Sequence, residues 1–389
     1  MKDSVTYANG YAMNCFTNVM SPLDDMACKI NVAELLGREV VLLQSSPSHA
    51  LLRKRVILVT GAAGSIGSEL CRQLLDYEPA LVIGLDTNET GLFDLAERLR
   101  AHPHGHYFLP YIGDITDGAC MERLLRNKQP HNIFHVAAYK HVPLLEQYPE
   151  QAIYTNALGT YYLCRLAQKC GVDNFVFVST DKAAEPTSIM GASKRFGELI
   201  IRSLANSKEN KTCFSAVRFG NVIGSRGSVV PTFARQIMNG GPITITDPRA
   251  TRYFMTIPEA CGLVILSAVS AENGNIYLLD MGEPIRIVDL ALKMLHLSDS
   301  ATKGDISVIY TGLRPGERIH EVLIAANEEL QPTQHSKIFC ITSQDAAPSL
   351  TTMAQWVRAL EECLFDESDE QLRQCIFEFV YQGSPLVVR

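Results

Sequence analysis

The sequence predicts an α/β protein: a doubly wound parallel sheet with a smaller C-terminal substrate domain. Three observations predict it. An apolar segment at 55–60 (RVILVT) runs straight into a glycine-spaced turn, GAAGSIGSELCRQLL. A second apolar segment, LVIGLD, ends in an acid, Asp86. From there, strand-length apolar runs alternate with helical patterns, as parallel strands joined by crossover helices do.

Composition sets the limits. At 389 residues the chain can bury a sizeable core in one large or two medium domains. Apolar residues make up 47% and charged residues 20%, which fits a globular enzyme and excludes a disordered chain. The net charge of −7 leaves no basic field for nucleic acid, so an anionic ligand would need a local arginine cluster. The 11 cysteines show neither CxxC nor metal-ligand spacing. They read as reduced, buried thiols of a cytoplasmic protein, and no metal site is expected. No apolar run reaches the roughly 18–20 residues of a membrane span. No basic segment precedes an apolar one at the N-terminus, so no secretory signal is expected.

Residues 1–30 carry little pattern and are expected to form an N-terminal arm. Residues 31–53 are expected to hold a short helix and a short strand. The first strand of the sheet is 55–60, and its turn carries Gly61, Gly64 and Gly67 with Ser65 and Ile66 between them. Such a turn needs glycine for the tight bend, for close approach of a pyrophosphate and for helix–strand contact. The helix N-terminus then faces the phosphates. Asp86 stands 19 residues after Gly67, where a carboxylate meets a ribose 2′-hydroxyl. It would repel a 2′-phosphate, so NAD is favoured over NADP.

The third strand, HYFLPYIGDI, ends in Asp114 and Ile115. Asp114 reads equally as an adenine-edge contact and as a helix cap. A helix (GACMERLLRNK), a strand (NIFHVAAY) and a helix over about 148–170 follow. The end of that strand brings Ala137, Ala138, Tyr139, Lys140 and His141 to the same crevice. His141 reads equally as a packed loop residue. Asn156 is expected to support the cofactor loop.

The stretch 174–206 is central. Phe175, Val176, Phe177 and Val178 form a buried strand that ends in Ser179, Thr180, Asp181 and Lys182. Open parallel sheets bind ligands outside such strand ends. After a loop with Glu185 and Pro186, a helix carries Met190 and Lys194 one turn apart on one face. A further strand, TCFSAVRFGNV, leads into GSRGSVVPTFARQIMNGG, and beyond Val222 the alternation loosens. Residues 31–221 are expected to form the dinucleotide-binding domain and 222–345 mainly a substrate-binding domain, with some segments returning to the main sheet. Residues 346–389 are expected to form C-terminal helices around the acidic FDESDE.

These residues resemble the extended short-chain dehydrogenase/reductase superfamily. More narrowly, they resemble the nucleotide-sugar 4,6-dehydratases of the CapD-like polysaccharide-biosynthesis group, above all the UDP-N-acetylglucosamine 4,6-dehydratases. The resemblance lies in AAYKHVPLLE (137–146), STDKAAEPTSIMGASKR (179–195) and RFGNVIGSRGSVVP (218–231). LLGREVV, RATRYFMTIPEA and GLRPGERIHE also fit, and together they cover about 31–345. Long members carry an N-terminal membrane region, which is not expected in this sequence. Most short-chain dehydrogenases place a tyrosine four residues before the helix lysine; here that residue is Met190, which cannot exchange a proton. Methionine there resembles the branch that retains configuration at C5.

The resemblance implies a Rossmann sheet, NAD as cofactor, a UDP-sugar as substrate and a homo-oligomer of two or more chains. It implies hydride transfer from C4 to NAD⁺, loss of water across C5 and C6, and hydride return to C6. Asp181 is implied as the acid and Lys182 as the base, with Thr180 on the 4-hydroxyl and Lys194 on the nicotinamide ribose. Burial, nearby Lys194 and the cofactor's positive ring are expected to lower the pKa of Lys182. Desolvation is expected to favour protonated Asp181. Arg226, Arg252 and Arg314 are expected on the pyrophosphate, Glu317 on the uridine ribose and Asn221 on a phosphate or backbone group. A 4-epimerase and a non-catalytic NAD-binding regulator are the competing readings. The Asp181–Lys182 pair argues against both.

Overall fold

The sheet grows outward from β1 (Val56–Thr60). This strand pairs in parallel with β2 (Leu81–Asp86) on one side and β4 (Asn132–His135) on the other, and β2 pairs with β3 (Phe108–Ile112). Beyond β4 come β5 (Asn174–Val178), β6 (Cys213–Arg218) and β11 (Ile276–Leu279), all parallel. β15 (Ile338–Ser343) and β14 (Glu328–Pro332) extend that edge antiparallel. The order is therefore β14-β15-β11-β6-β5-β4-β1-β2-β3. It reverses between β1 and β4, which opens a crevice at the carboxyl ends of the strands. The computed structural model describes residues 35, 36, 38, 49–208, 210–297, 306–366 and 368–381. The expected N-terminal arm and the strand expected within 31–53 lie outside the described residues.

Helices cover both faces because each strand buries alternate side chains on opposite sides. On one face Leu58, Phe175 and Phe177 pack with α4 (Gly118–Lys128), α6 (Thr160–Lys169) and α7 (Ile189–Ala205). On the other, Ile57, Val59, Val176 and Val178 pack with α2 (Ser65–Leu75), α3 (Glu89–Leu99) and α9 (Ile257–Val269). Between α4 and α6 comes α5 (Val142–Gln147), and a short α1 (His49–Leu52) precedes the sheet. Every residue of α7 except Arg202 is buried, because α11 (Leu350–Asp366) and α12 (Asp369–Val380) close over its outer side. Burial of each large side chain there contributes about 1.5–3 kcal/mol.

Residues after β6 build a second, smaller core. β7 (Asn221–Ile223) pairs with β10 (Phe254–Thr256), β8 (Ile243–Ile245) with β13 (Val308–Tyr310), and β9 (Thr251–Arg252) with β12 (Ile285–Arg286). Leu35, Leu36, Ile223, Phe254, Phe233 of α8 (Val229–Met238) and Leu290 of α10 (Ile287–Leu297) fill this core.

The structure redraws three expected elements. The strand TCFSAVRFGNV divides at Phe219 and Gly220: Val217 and Phe219 stay against the β5 end through their carbonyls, while Asn221 turns to donate to Tyr253 O. The third strand stops at Ile112, before Asp114. The helix expected over 148–170 starts at Pro149 but widens to a π-helix over Ala152–Gly159 before α6. Such a widening is frequent at functional sites, and Asn156 lies within it. Among the described residues no helix is long and apolar enough to cross a membrane, and no His/Cys/Asp/Glu group could hold a metal ion.

Candidate active site

The glycine turn between β1 and α2 forms one wall. Gly61 has φ +70°, and a Cβ on it would lie 2.7 Å from Ala137 N. A Cβ on Gly67 would lie 2.1 Å from Gly61 O, so the start of α2 is pressed onto the strand end. Asp86 ties the turn to β2: its Oδ2 accepts from Ala63 N at 2.9 Å and its Oδ1 from Asn88 N at 2.9 Å. Asp114 Oδ1 accepts from Thr116 N and Oγ1, both at 2.8 Å, a local turn, while the cap of the next helix is Asp117; Ile115 is buried. Ala137 N donates to Thr60 Oγ1. Asn156, within the π-helix, accepts from Tyr139 N at 2.8 Å and donates to Tyr139 O and Ser193 Oγ. It thereby fixes the loop of Ala137, Ala138 and Tyr139 to α7. Glycines without room for a side chain, a helix N-terminus and an acid at the β2 end suit a dinucleotide.

The β5 end forms the centre. Ser179 N donates to Val217 O and Asp181 N to Phe219 O, so the chain stays in register with β6 past the last strand residue. Thr180 caps a short 3₁₀ turn, Asp181–Ala183. Its hydroxyl donates to Asp181 Oδ1 at 2.9 Å. Asp181 is 1% exposed, and its Oδ2 has no hydrogen-bond partner among the described residues. That orphaned oxygen lies over Gly220, where a Cβ would come within 3.1 Å of it. A buried carboxylate oxygen without a donor costs about 1–3 kcal/mol or more, so it marks the place where a ligand's donor belongs.

Lys182 sits between two carboxylates. Its Nζ is 3.0 Å from Asp181 Oδ1, 3.1 Å from Glu321 Oε1 and 3.5 Å from Asn221 Oδ1. Burial opposes its charge, but Asp181 and then Glu321 outweigh burial and the opposing Arg252, and its pKa lies above the ordinary lysine value. The expected lowering is therefore corrected: the sequence reading reckoned with burial and nearby cations, not with a second carboxylate. Glu321 belongs to the GLRPGERIHE segment, but that reading took only Arg314 and Glu317 from it.

Lys194 behaves in the opposite way. It is 6% exposed, its Nζ stands 4.3 Å from the centroid of the Phe177 ring, and burial lowers its pKa to about 7 against the opposing pull of Glu198. Met190 is buried one turn earlier. Gly191 admits the close approach of α7 to the 3₁₀ turn, since a Cβ there would lie 2.4 Å from Lys182 O.

Beneath the site runs a buried ionic network that the sequence reading did not identify. Ser179 Oγ donates to Glu198 Oε1 at 2.7 Å. Glu198 meets Arg218 at 2.8 Å and Arg195 at 3.1 Å, and both arginines meet Glu328 at 2.8 Å. Arg218, Glu198 and Glu328 have fully buried side chains. The network joins the β5 end, α7, β6 and β14.

The expected substrate residues divide. Lys140 Nζ donates to Arg226 O at 2.9 Å, and Arg226 N donates to Ser65 Oγ at 3.2 Å, so the loop carrying Arg226 lies over the start of α2. His141 packs on that loop: a Cβ on Gly227 would lie 2.7 Å from its Cε1. Burial, then Lys140 and Arg314, lower the pKa of His141. Arg314 and Glu317 pair with each other, Nε to Oε1 at 3.0 Å. Arg252 is used differently from expectation. Its Nη atoms donate to Thr251 O, Ile319 O and Arg318 O, and its Nε is 3.4 Å from Glu321. It acts as a strut for the segment that presents Glu321.

Comparison with known proteins adds the context. The polysaccharide biosynthesis protein family matches residues 57–343. The capsular polysaccharide biosynthesis protein CapD of Staphylococcus aureus is 44% identical over 313 residues, 80% of this chain and 52% of that protein. The chain thus spans about half the length of that relative. A UDP-N-acetylglucosamine 4,6-dehydratase (inverting) of Campylobacter jejuni is 32% identical over 72% of this chain and 80% of the relative. A UDP-glucose 4-epimerase of Rickettsia bellii is also 32% identical, over 70% of this chain and 79% of the relative. Among solved structures, Pen from Bacillus thuringiensis superposes with a TM-score of 0.71 at 32% identity, over 77% of this chain and 91% of that one.

Proposed function

The chain belongs to the polysaccharide biosynthesis protein family, and on that premise we propose that it is an NAD-dependent 4,6-dehydratase of UDP-N-acetylglucosamine that retains configuration at C5. Its fold is that of the extended short-chain dehydrogenases, and relatives at similar identity are named for dehydration and for epimerisation. Identity therefore does not choose between the two reactions, and the site chemistry must.

The observation that carries the reading is the arrangement of Thr180, Asp181 and Lys182 at the β5 end. Epimerisation at C4 needs no acid–base pair for C5 and C6. Here a buried carboxylate and an ammonium lie 3.0 Å apart, and one oxygen of the carboxylate is unclaimed.

NAD would lie along the glycine turn, Asp86 and the Ala137–Tyr139 loop, with Lys194 on its nicotinamide ribose; when bound it accepts hydride from C4 and returns it to C6. Thr180 bridges the gap left by Met190. As the sugar 4-hydroxyl loses its proton, Thr180 takes it and passes its own to Asp181 Oδ1, to which it already donates. Asp181 is then the neutral acid that the next step needs, and it protonates the departing 6-hydroxyl. The proton taken from O4 leaves in the water. Lys182, held as the ammonium by its two carboxylates, first sheds a proton to solvent. The amine then takes the C5 proton, exchanges with solvent and reprotonates C5 on the same face, which gives retention. General acid–base steps of this kind contribute about 10²–10⁴-fold each. Arg226 and Arg314 are available for the diphosphate, and Glu317 for the uridine ribose.

The test is direct. The protein, NAD and UDP-N-acetylglucosamine should yield a 4-keto-6-deoxy product lighter than the substrate by one water. A product of unchanged mass, epimeric at C4, would replace this reading with the epimerase. Intact NAD binding without turnover would leave a regulator.

A further inference from the structure

Glu321 has no part in the acid–base scheme above, yet its position is built. Its side chain is 5% exposed, its Oε1 is 3.1 Å from Lys182 Nζ, and Arg252 Nε holds the same oxygen at 3.4 Å. Arg252 is in turn held by three carbonyls, two of them in the residues just before Glu321. A strut of this kind fixes where the carboxylate points.

We propose that Glu321 is a positioning residue for the base, holding Lys182 Nζ beside Asp181 and stabilising the ammonium formed when Lys182 takes the C5 proton. The inference rests on the dehydratase reading and deepens it. Its logic is charge accounting. When Asp181 accepts the proton relayed from O4 it becomes neutral and no longer stabilises a cation. Lys182 must gain a positive charge in the next step. Glu321 is then the remaining carboxylate against it. The groups facing Lys182 are Asp181 from its own turn, Asn221 from β7, Glu321 from the segment before β14 and, with opposing sign, Arg252 from β9. With Asp181 protonated, a site lacking Glu321 would place the new ammonium beside Arg252 without any counter-charge.

E321Q keeps the shape and removes the charge. Two measurements on the 389-residue chain with NAD bound read the effect. In the first, labelling of Lys182 by an amine-reactive reagent is followed against pH by peptide mass spectrometry. Loss of one facing carboxylate is expected to raise labelling at a fixed alkaline pH about tenfold, one pH unit of proton affinity. In the second, turnover of UDP-N-acetylglucosamine is followed against pH. In E321Q the rise of turnover with pH should begin at lower pH and reach a lower plateau. E321D, which keeps the charge but withdraws it by one methylene, should shift both readouts less, and it serves if E321Q folds poorly. Labelling and pH profiles that coincide with wild type, even with lower turnover, would reduce Glu321 to a structural residue and overturn the inference. Shifted labelling in a wild-type protein that makes no 4-keto product would overturn the dehydratase reading and this role with it, while leaving the ion pair standing.

Discussion

Thr180 donates its hydroxyl to Asp181 Oδ1 across 2.9 Å, and Lys182 Nζ reaches the same oxygen at 3.0 Å. One carboxylate oxygen thus collects a proton route from the sugar side and the charge of the base, while its twin stays free for the 6-hydroxyl. In the proposed reaction this sharing would let a site with methionine at the usual tyrosine position still move the O4 proton. T180V removes the route and keeps the volume. Product formation should fall by about 10²–10⁴-fold with NAD affinity unchanged, and T180S should recover most of it. Turnover of T180V within a factor of about two of wild type would exclude the relay; general acid–base contributions are far larger.

Lys194 makes folding stability depend on pH. Its folded pKa is about 7 against an ordinary 10.5, because burial disfavours its charge. Between these values the unfolded chain binds a proton that the folded chain does not, so stability should rise with pH across that window. K194M should flatten this slope in urea unfolding of the NAD-free protein.

The buried network predicts the opposite limb. Burial pushes the Glu328 carboxyl up, but Arg218 and Arg195 outweigh it and hold its pKa at about 2. Its contribution is full above the ordinary carboxyl value of 4.5 and is lost as pH falls toward 2. E328Q leaves Arg218 and Arg195 short of a counter-charge and should cost about 3–5 kcal/mol at neutral pH. Its stability should also fall less steeply than that of wild type between pH 5 and pH 2, as read by denaturant midpoints.

The strands, the glycine turn and the polar β5 end were legible because their signals are local. An apolar run ending in Ser179, Thr180, Asp181 and Lys182 states its own position, and glycine spacing reports a backbone need. Pairings between distant segments were not legible. Nothing in the composition of 311–321 says that Glu321, rather than Arg314, reaches the β5 end. Asp181 and Glu321 together outweigh burial at Lys182, so the expected lowering was reversed. Arginine in a motif announces an acceptor without naming it: Arg252 found backbone carbonyls, and Arg218 found two buried glutamates in place of solvent. The break between β6 and β7 was hidden because RFGNV continues the strand's apolar character while Gly220 opens space for Asp181.

The glycine turn gives a graded test. A Cβ at Gly67 would meet Gly61 O at 2.1 Å, whereas one at Gly64 would meet the same atom at 3.2 Å. G67A should therefore lose NAD binding in a titration and lower stability by about 1–3 kcal/mol or more. G64A should do markedly less of both. Equal effects would mean that the turn yields as a unit.

The central claim is that this site removes water across C5 and C6 using one base on one face. NMR of the reaction of UDP-N-acetylglucosamine in D₂O tests it most directly. The expected product is a 4-keto-6-deoxy sugar with deuterium at C5 and unchanged C5 configuration. A product with no deuterium at C5, or one inverted there, would contradict that claim.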